Sequence, residues 1–97
     1  MFGLINNIVT TDQKRDELVK ILIESSRDMP GCRSYIVAVD PQGPNGIWVT
    51  EVWDNESDQQ ASLDIPHVKA AIQQAGPMVF SFKPRVTTTP LGGHGLL

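Results

Sequence analysis

The side chains best suited to chemistry in this sequence are those of His67 and Trp53. An unperturbed imidazole titrates near neutral pH, so His67 suits the role of a general base. A histidine next to a proline at a helix start is also often a surface or capping residue, and this alternative stays open. Trp53 can stack on a substrate ring or donate its indole N–H, although a tryptophan that ends a strand more often serves packing.

Three further polar side chains lie in apolar strand segments. Tyr35 offers a phenolic hydroxyl that can hydrogen-bond a substrate oxygen, though an inward tyrosine in a strand is commonly structural. Asn6 or Asn7 can supply an amide donor to a developing oxyanion, or can simply tie the strand to its neighbour. Adjacent strand residues point to opposite faces, so only one asparagine can face the helices. The sequence does not decide which.

Two arginines near strand ends, Arg33 and Arg85, could hold an anionic substrate. Charged residues at such positions are usually solvated, and the sequence favours that interpretation. The acidic residues Asp54, Glu56 and Asp58 indicate a helix N-terminus complemented by negative charge.

Composition narrows the classes of function. The chain has 97 residues, 40% hydrophobic and 20% charged, with a net charge of −3 and scattered basic residues, which argues against nucleic-acid and membrane binding. We expect a cytoplasmic protein, since no signal peptide or membrane-spanning apolar run is seen. The single Cys32 cannot form an intrachain disulfide or a cysteine-based metal site. The sequence contains neither a dinucleotide-binding motif nor a phosphate-binding loop, so it does not predict a bound cofactor.

The pattern of apolar residues predicts the order βαββαβ. A helix with a Thr10/Gln13 capping box is expected after the first strand and is ended by Pro30-Gly31. Asn55 is expected to cap a second helix that is broken near residues 64–65 and restarts at Pro66. Strands are expected at residues 2–9, 32–39, 47–53 and 78–86.

This order predicts an α+β, ferredoxin-like domain at residues 1–90, followed by a flexible tail at 91–97. Its four-stranded antiparallel sheet would carry both helices on one face. Because the strands are apolar on both faces, the other face must be covered, and a second copy of the chain is the simplest cover. We therefore expect a homodimer.

Three segments resemble the antibiotic biosynthesis monooxygenase family. Residues 30–35 are similar to the family's proline-glycine-cysteine turn and following tyrosine, and residues 51–53 to its Glu-x-Trp. Pro66-His67 is similar to the end of its His-x-x-Ser/Thr-Pro-His segment, in which Ser62 occupies the position of the first histidine. The resemblance covers nearly the whole chain and implies a dimeric α+β barrel.

The resemblance implies a cofactor-independent monooxygenase that oxidises a small phenolic, quinol or polyketide-type aromatic substrate with O2. Within this interpretation we expect catalytic roles for His67, Trp53 and Asn6, and substrate contacts for Tyr35, Asn7 and Ser62. A non-catalytic dimeric ligand-binding or regulatory module is one alternative, and an isomerase or decarboxylase on the same scaffold is another.

Overall fold

A computed structural model describes residues 1–96, and Leu97, the last residue of the predicted tail, lies outside the described residues. The predicted order of elements is confirmed. The strands are β1 (Phe2–Thr10), β2 (Cys32–Val39), β3 (Gly46–Trp53), β4 (Val79–Phe82) and β5 (Val86–Thr88). The helices are α1 (Arg15–Ser25), α2 (Glu56–Ser62) and α3 (Pro66–Ala75).

The strands form one antiparallel sheet in the order β2-β3-β1-β4, with β5 also paired to β1. This is the predicted ferredoxin-like arrangement. The last strand differs from the prediction, because it is divided into β4 and β5 and begins at Val79 rather than Met78. The division falls at Pro84, which has no N–H for a strand ladder. The Lys83 N–H still bonds to the Asn7 carbonyl at 3.0 Å, and pairing with β1 resumes at Val86.

Helix α1 begins later and ends earlier than predicted, and the Thr10 capping box is wrong. Thr10 is the buried last residue of β1, and its hydroxyl has no hydrogen-bond partner within residues 1–96. Gln13 has a positive φ of 65°, so the chain turns before α1 starts at Arg15. At the other end the Ser26 hydroxyl donates to the Ile23 carbonyl at 2.8 Å, which satisfies a terminal helix acceptor.

The broken second helix agrees with its prediction. The Asn55 side chain accepts a hydrogen bond from the Asp58 N–H at 2.8 Å and so caps α2. Pro66 occupies the first turn of α3, where its missing N–H leaves no hydrogen bond unmade. Residues 63–65 separate the two helices.

The core lies between the helices and one face of the sheet. Its buried members are Ile8, Leu18, Ile21, Ile47, Val49 and Met78. In β3 the residues alternate between the two faces, with Ile47, Val49, Glu51 and Trp53 buried. The opposite sheet face carries Ile36 and Trp48, which are 57% and 40% exposed in the single chain. No helix within residues 1–96 is long and apolar enough to cross a membrane.

Candidate active site

The centre of the candidate site is the carboxylate of Glu51, which sits on the helix-facing side of β3 and is only 8% exposed. Its two oxygens accept hydrogen bonds from two side-chain donors. Asn6 Nδ2 donates to Oε2 at 3.1 Å, and Trp53 Nε1 donates to Oε1 at 3.0 Å. Each carboxylate oxygen keeps a further lone pair for another donor.

Sheet register brings these three side chains together. Glu51 and Trp53 are two residues apart in β3 and therefore share a face. Leu4 is the direct cross-strand partner of Glu51, and Asn6 lies two residues further along β1 on the same face. Asn6 therefore faces the helices. Asn7 points to the opposite face, where its cross-strand partner is Trp48.

Burial sets the proton affinity of Glu51. Removal from water raises the pKa of the Glu51 carboxyl, while the bonds from Trp53 and Asn6 and the positive charge of Arg85 lower it less, so the pKa is raised overall. A carboxylate with a raised pKa is a stronger base than an exposed glutamate. The fixed donors keep it in one orientation, ready to accept a proton from a bound group.

Tyr35 stands beside this carboxylate, directly across the β2–β3 ladder from Glu51. Burial raises the pKa of the Tyr35 phenol, and the nearby Glu51 and Cys32 add to the rise. The phenol therefore stays protonated at physiological pH. It can donate a hydrogen bond to an oxygen atom that gains negative charge.

Two adjoining cavities reach this group of side chains. An inner cavity of about 140 Å³ lies between helices and sheet, and an outer cleft of about 380 Å³ opens beside β1 and the end of β4. Both are lined by Tyr35, Glu51, Gln59 and Leu63. An apolar cavity of about 150 Å³ is enough to bind benzene. The space around Glu51 thus accommodates one aromatic ring.

Gln59 and Ser62 of α2 complete the polar lining. Gln59 is 7% exposed and faces both cavities, and no residue among 1–96 forms a hydrogen bond with its carboxamide. The Ser62 hydroxyl is committed to its own helix, since it donates to the Gln59 carbonyl at 2.6 Å. Gln59 is therefore better placed than Ser62 to bond a substrate oxygen.

His67 lies apart from these residues. Its Nε2 is 2.8 Å from the Arg27 carbonyl, and because a carbonyl only accepts, Nε2 carries the proton. The imidazole lines a groove between α1 and α3, in which it is accompanied by Glu17 and Lys20. Neither cavity at Glu51 includes His67 in its lining.

The predicted residues are thus partly brought together. Asn6, Trp53, Tyr35 and Ser62 line one or both cavities, whereas Asn7 and His67 lie elsewhere. The sequence pattern singles out Glu51 only as part of Glu-x-Trp. The sequence nonetheless contains a second indication of a role for Glu51. A carboxylate at an inward-facing position of an alternating apolar strand needs hydrogen-bond partners in the interior.

Comparisons with known proteins agree on one family. The model of the antibiotic biosynthesis monooxygenase family matches residues 1–74. A solved structure from Chloroflexus aurantiacus that carries this family name is 44% identical, with a TM-score of 0.95, and the match covers 98% of this chain and 97% of that one. A structure from Deinococcus radiodurans shares the fold at 23% identity and a TM-score of 0.78, covering 96% and 95% of the two chains. None of the curated proteins matches the chain.

Proposed function

Because the chain belongs to the antibiotic biosynthesis monooxygenase family, we propose that it is a cofactor-independent monooxygenase that oxidises a small phenolic or quinol substrate with O2. The observation that carries the proposal is the buried Glu51 carboxylate, held by Asn6 and Trp53 at the wall of a ring-sized cavity. A base in this position can deprotonate a bound aromatic hydroxyl.

The reaction begins with transfer of the hydroxyl proton to Glu51. The resulting phenolate is electron-rich and passes one electron to O2, after which the ring radical and superoxide combine into a carbon–oxygen bond. Loss of water from the hydroperoxide breaks the O–O bond. For a hydroquinone, the sum is hydroquinone plus O2 giving hydroxyquinone plus water, so O2 is the only oxidant and no external reductant is consumed.

The protein's own groups assist by position and charge. Tyr35 and Gln59 are the donors available to a phenolate oxygen, and a donor fixed in a cavity with little water stabilises developing charge more than water does. Protonated Glu51 can return its proton to the peroxide oxygen when water leaves. Removal of a fixed general base typically lowers a rate about 10²–10⁴-fold.

We also propose that the protein acts as a homodimer in the cytoplasm. The sheet face opposite the helices carries exposed apolar side chains, including Ile36, Trp48 and Val86. A second copy that packs against this face would bury them and would leave the Glu51 cavities accessible on the helix side.

The test is oxygen uptake by metal-stripped protein against hydroquinones, catechols and anthrone-like polyketides, with autoxidation subtracted. We expect uptake that falls about a hundredfold or more in Glu51→Gln, which keeps the side chain's size and removes its basicity. His67→Ala is the matched comparison, because it removes the base that the sequence alone favours.

The alternatives give different results. Turnover that continues without oxygen would instead establish an isomerase or decarboxylase that uses the same base. Saturable binding with no turnover would establish a ligand-binding module. Uptake that is unchanged in Glu51→Gln and lost in His67→Ala would return the catalytic role to His67.

A further inference from the structure

The mouth of the outer cleft is positively charged although the whole protein is acidic. Lys83 and Arg85 line this cleft and are exposed, while the chain carries a net charge of −3. Neither residue forms a salt bridge within residues 1–96. Two cations that have no ion-pair partner among residues 1–96 at one opening are therefore a local feature and do not follow from the overall composition.

The backbone holds both residues at the cleft. Phe82 pairs with Ile8, and Thr87 with Leu4, so the β4–β5 connection runs along the edge of β1 that faces away from β3. Lys83 is anchored by its N–H bond to the Asn7 carbonyl. The short connection around Pro84 keeps the two cationic residues beside the same opening.

Arg85 also lies close enough to Glu51 to change the pKa of its carboxyl group. Its charge is one of the influences that lower the pKa of Glu51, yet no ion pair joins the two side chains. A guanidinium carries its donors in a planar fork, which matches the two oxygens of a carboxylate or phosphate. Both Arg85 and Glu51 line the outer cleft.

Apolar side chains flank the same opening. Leu63 and Phe82 line the cleft and are 46% and 67% exposed. The outer cleft thus has apolar side chains in its walls, the carboxylate of Glu51 where it adjoins the inner cavity, and two cationic residues at its mouth. A flat ring with a hydroxyl at one end and an anionic group at the other is complementary to this cleft.

We infer that the cleft selects aromatic substrates that carry an oxyanion, with Arg85 and Lys83 binding the oxyanion while the ring hydroxyl reaches Glu51. The inference rests on the proposed function, because it names the substrate class of the same site. Arg85 is the residue that determines specificity. The oxyanion is a carboxylate or a phosphate, since both present the same pair of acceptor oxygens.

The test measures anaerobic binding by calorimetry at pH 8, so that no oxygenation is needed. The probes are 2,5-dihydroxybenzoate and its methyl ester, with 4-hydroxyphenyl phosphate and 4-hydroxybenzoate to compare the two anions. We expect the acid to bind about tenfold or more tightly than the ester, because a bidentate charged contact is lost in the ester. The difference should shrink at high salt.

Arg85→Ala should abolish this preference, and Arg85→Lys should retain part of it. Arg27→Ala is the control, because Arg27 is exposed, pairs with Asp28 and lies outside the cleft. Phosphate binding that exceeds carboxylate binding and depends on Arg85 would identify the oxyanion as a phosphate. Equal binding of acid and ester, or a preference that survives in a folded Arg85→Ala variant, would overturn the inference.

Oxygen uptake separates this inference from the proposed function. If 2,5-dihydroxybenzoate binds through Arg85 and no oxygen is consumed, the substrate class stands and the monooxygenase proposal fails. If hydroquinone, the acid and the ester are oxidised with the same KM, the monooxygenase proposal stands and the inference fails. In active protein, Arg85→Ala should raise KM for the acid more than it raises KM for the ester.

Discussion

Trp53→Phe tests the arrangement around Glu51 in the free protein, with no substrate bound. The substitution keeps an aromatic ring and removes the indole N–H that donates to Oε1 at 3.0 Å. Trp53 is 1% exposed, so the donor that is lost is a buried one. A hydrogen bond to a charged group contributes about 1.5–3 kcal/mol to stability.

The smaller side chain adds a packing cost. Phenylalanine is smaller than tryptophan by roughly 40 Å³, and at about 24 cal/mol per Å³ of cavity this adds about 1 kcal/mol. We therefore expect the free energy of unfolding to fall by about 2.5–4 kcal/mol at neutral pH. In the Glu51→Gln background the same change breaks only a neutral hydrogen bond, and its cost should be about 1–2 kcal/mol smaller.

Urea unfolding followed by far-UV circular dichroism measures both costs, at one fixed protein concentration because a dimer would make stability concentration-dependent. Phe80→Leu is the control, since Phe80 is 76% exposed and lies on the helix side of the sheet, away from the proposed dimer face, and it should cost less than about 1 kcal/mol. An equal cost of Trp53→Phe in the wild-type and Glu51→Gln backgrounds would refute the reasoning, because the indole would then contribute packing alone.

Three further predictions concern the ionisation of Glu51, the role of His67, and the exposed sheet face opposite the helices. Because burial raises the pKa of Glu51, its contribution to stability is present below the ordinary glutamate value of about 4.3 and is lost as the pH rises through the folded-state pKa. As the pH rises from about 4.3 through the folded-state pKa of Glu51, the free energy of unfolding of Glu51→Gln should therefore increase relative to that of the wild type, as measured by urea unfolding. A difference between the two proteins that does not change with pH would contradict the raised pKa of Glu51. His67→Ala should cost about 0.5–1.5 kcal/mol in thermal or urea unfolding through its lost bond to the Arg27 carbonyl, and should leave oxygen uptake within a factor of about two if Glu51 is the base. Ile36→Asp should produce monomers in sedimentation, whereas Ile23→Asp, on an equally exposed residue of α1, should not; dimers from both variants would reject the open face as the interface.

The structural features that depend on a short stretch of sequence can be predicted from the sequence. The alternation in β3 follows from residues Ile47 to Trp53, because a period of two describes a strand with one buried face. The Asn55 cap follows from a side chain three residues before its N–H donor. The predicted start of α1 is wrong because it relied on a local signal alone. Thr10 has a side chain that can cap a helix, but it is the last residue of β1. Tertiary pairing overrides local propensity there.

The candidate site depends on register, which sequence pattern alone does not supply. Asn6 and Glu51 are 45 positions apart and meet only because Leu4 pairs with Glu51 in the β1–β3 ladder. A slip of one residue would turn Asn7 toward the helices instead. In the sequence, His67 is favoured by the ordinary pKa of an imidazole and by the similarity of Pro66-His67 to a family segment. The group with the buried environment is instead a glutamate, a residue type that is usually solvated.

A purely structural explanation for Glu51 is weak on energetic grounds. If its role were only to connect β1 and β3, a neutral glutamine could bond both neighbours, once the Asn6 amide turned over, without the cost of burying a charge. The carboxylate is instead kept where burial raises its pKa, at the one wall that the inner cavity and the outer cleft share with Tyr35 and Gln59. A buried carboxylate lowers the stability of the free protein and is stabilised when a bound group donates a proton or hydrogen bond to it. Such a residue is expected at a site of proton transfer.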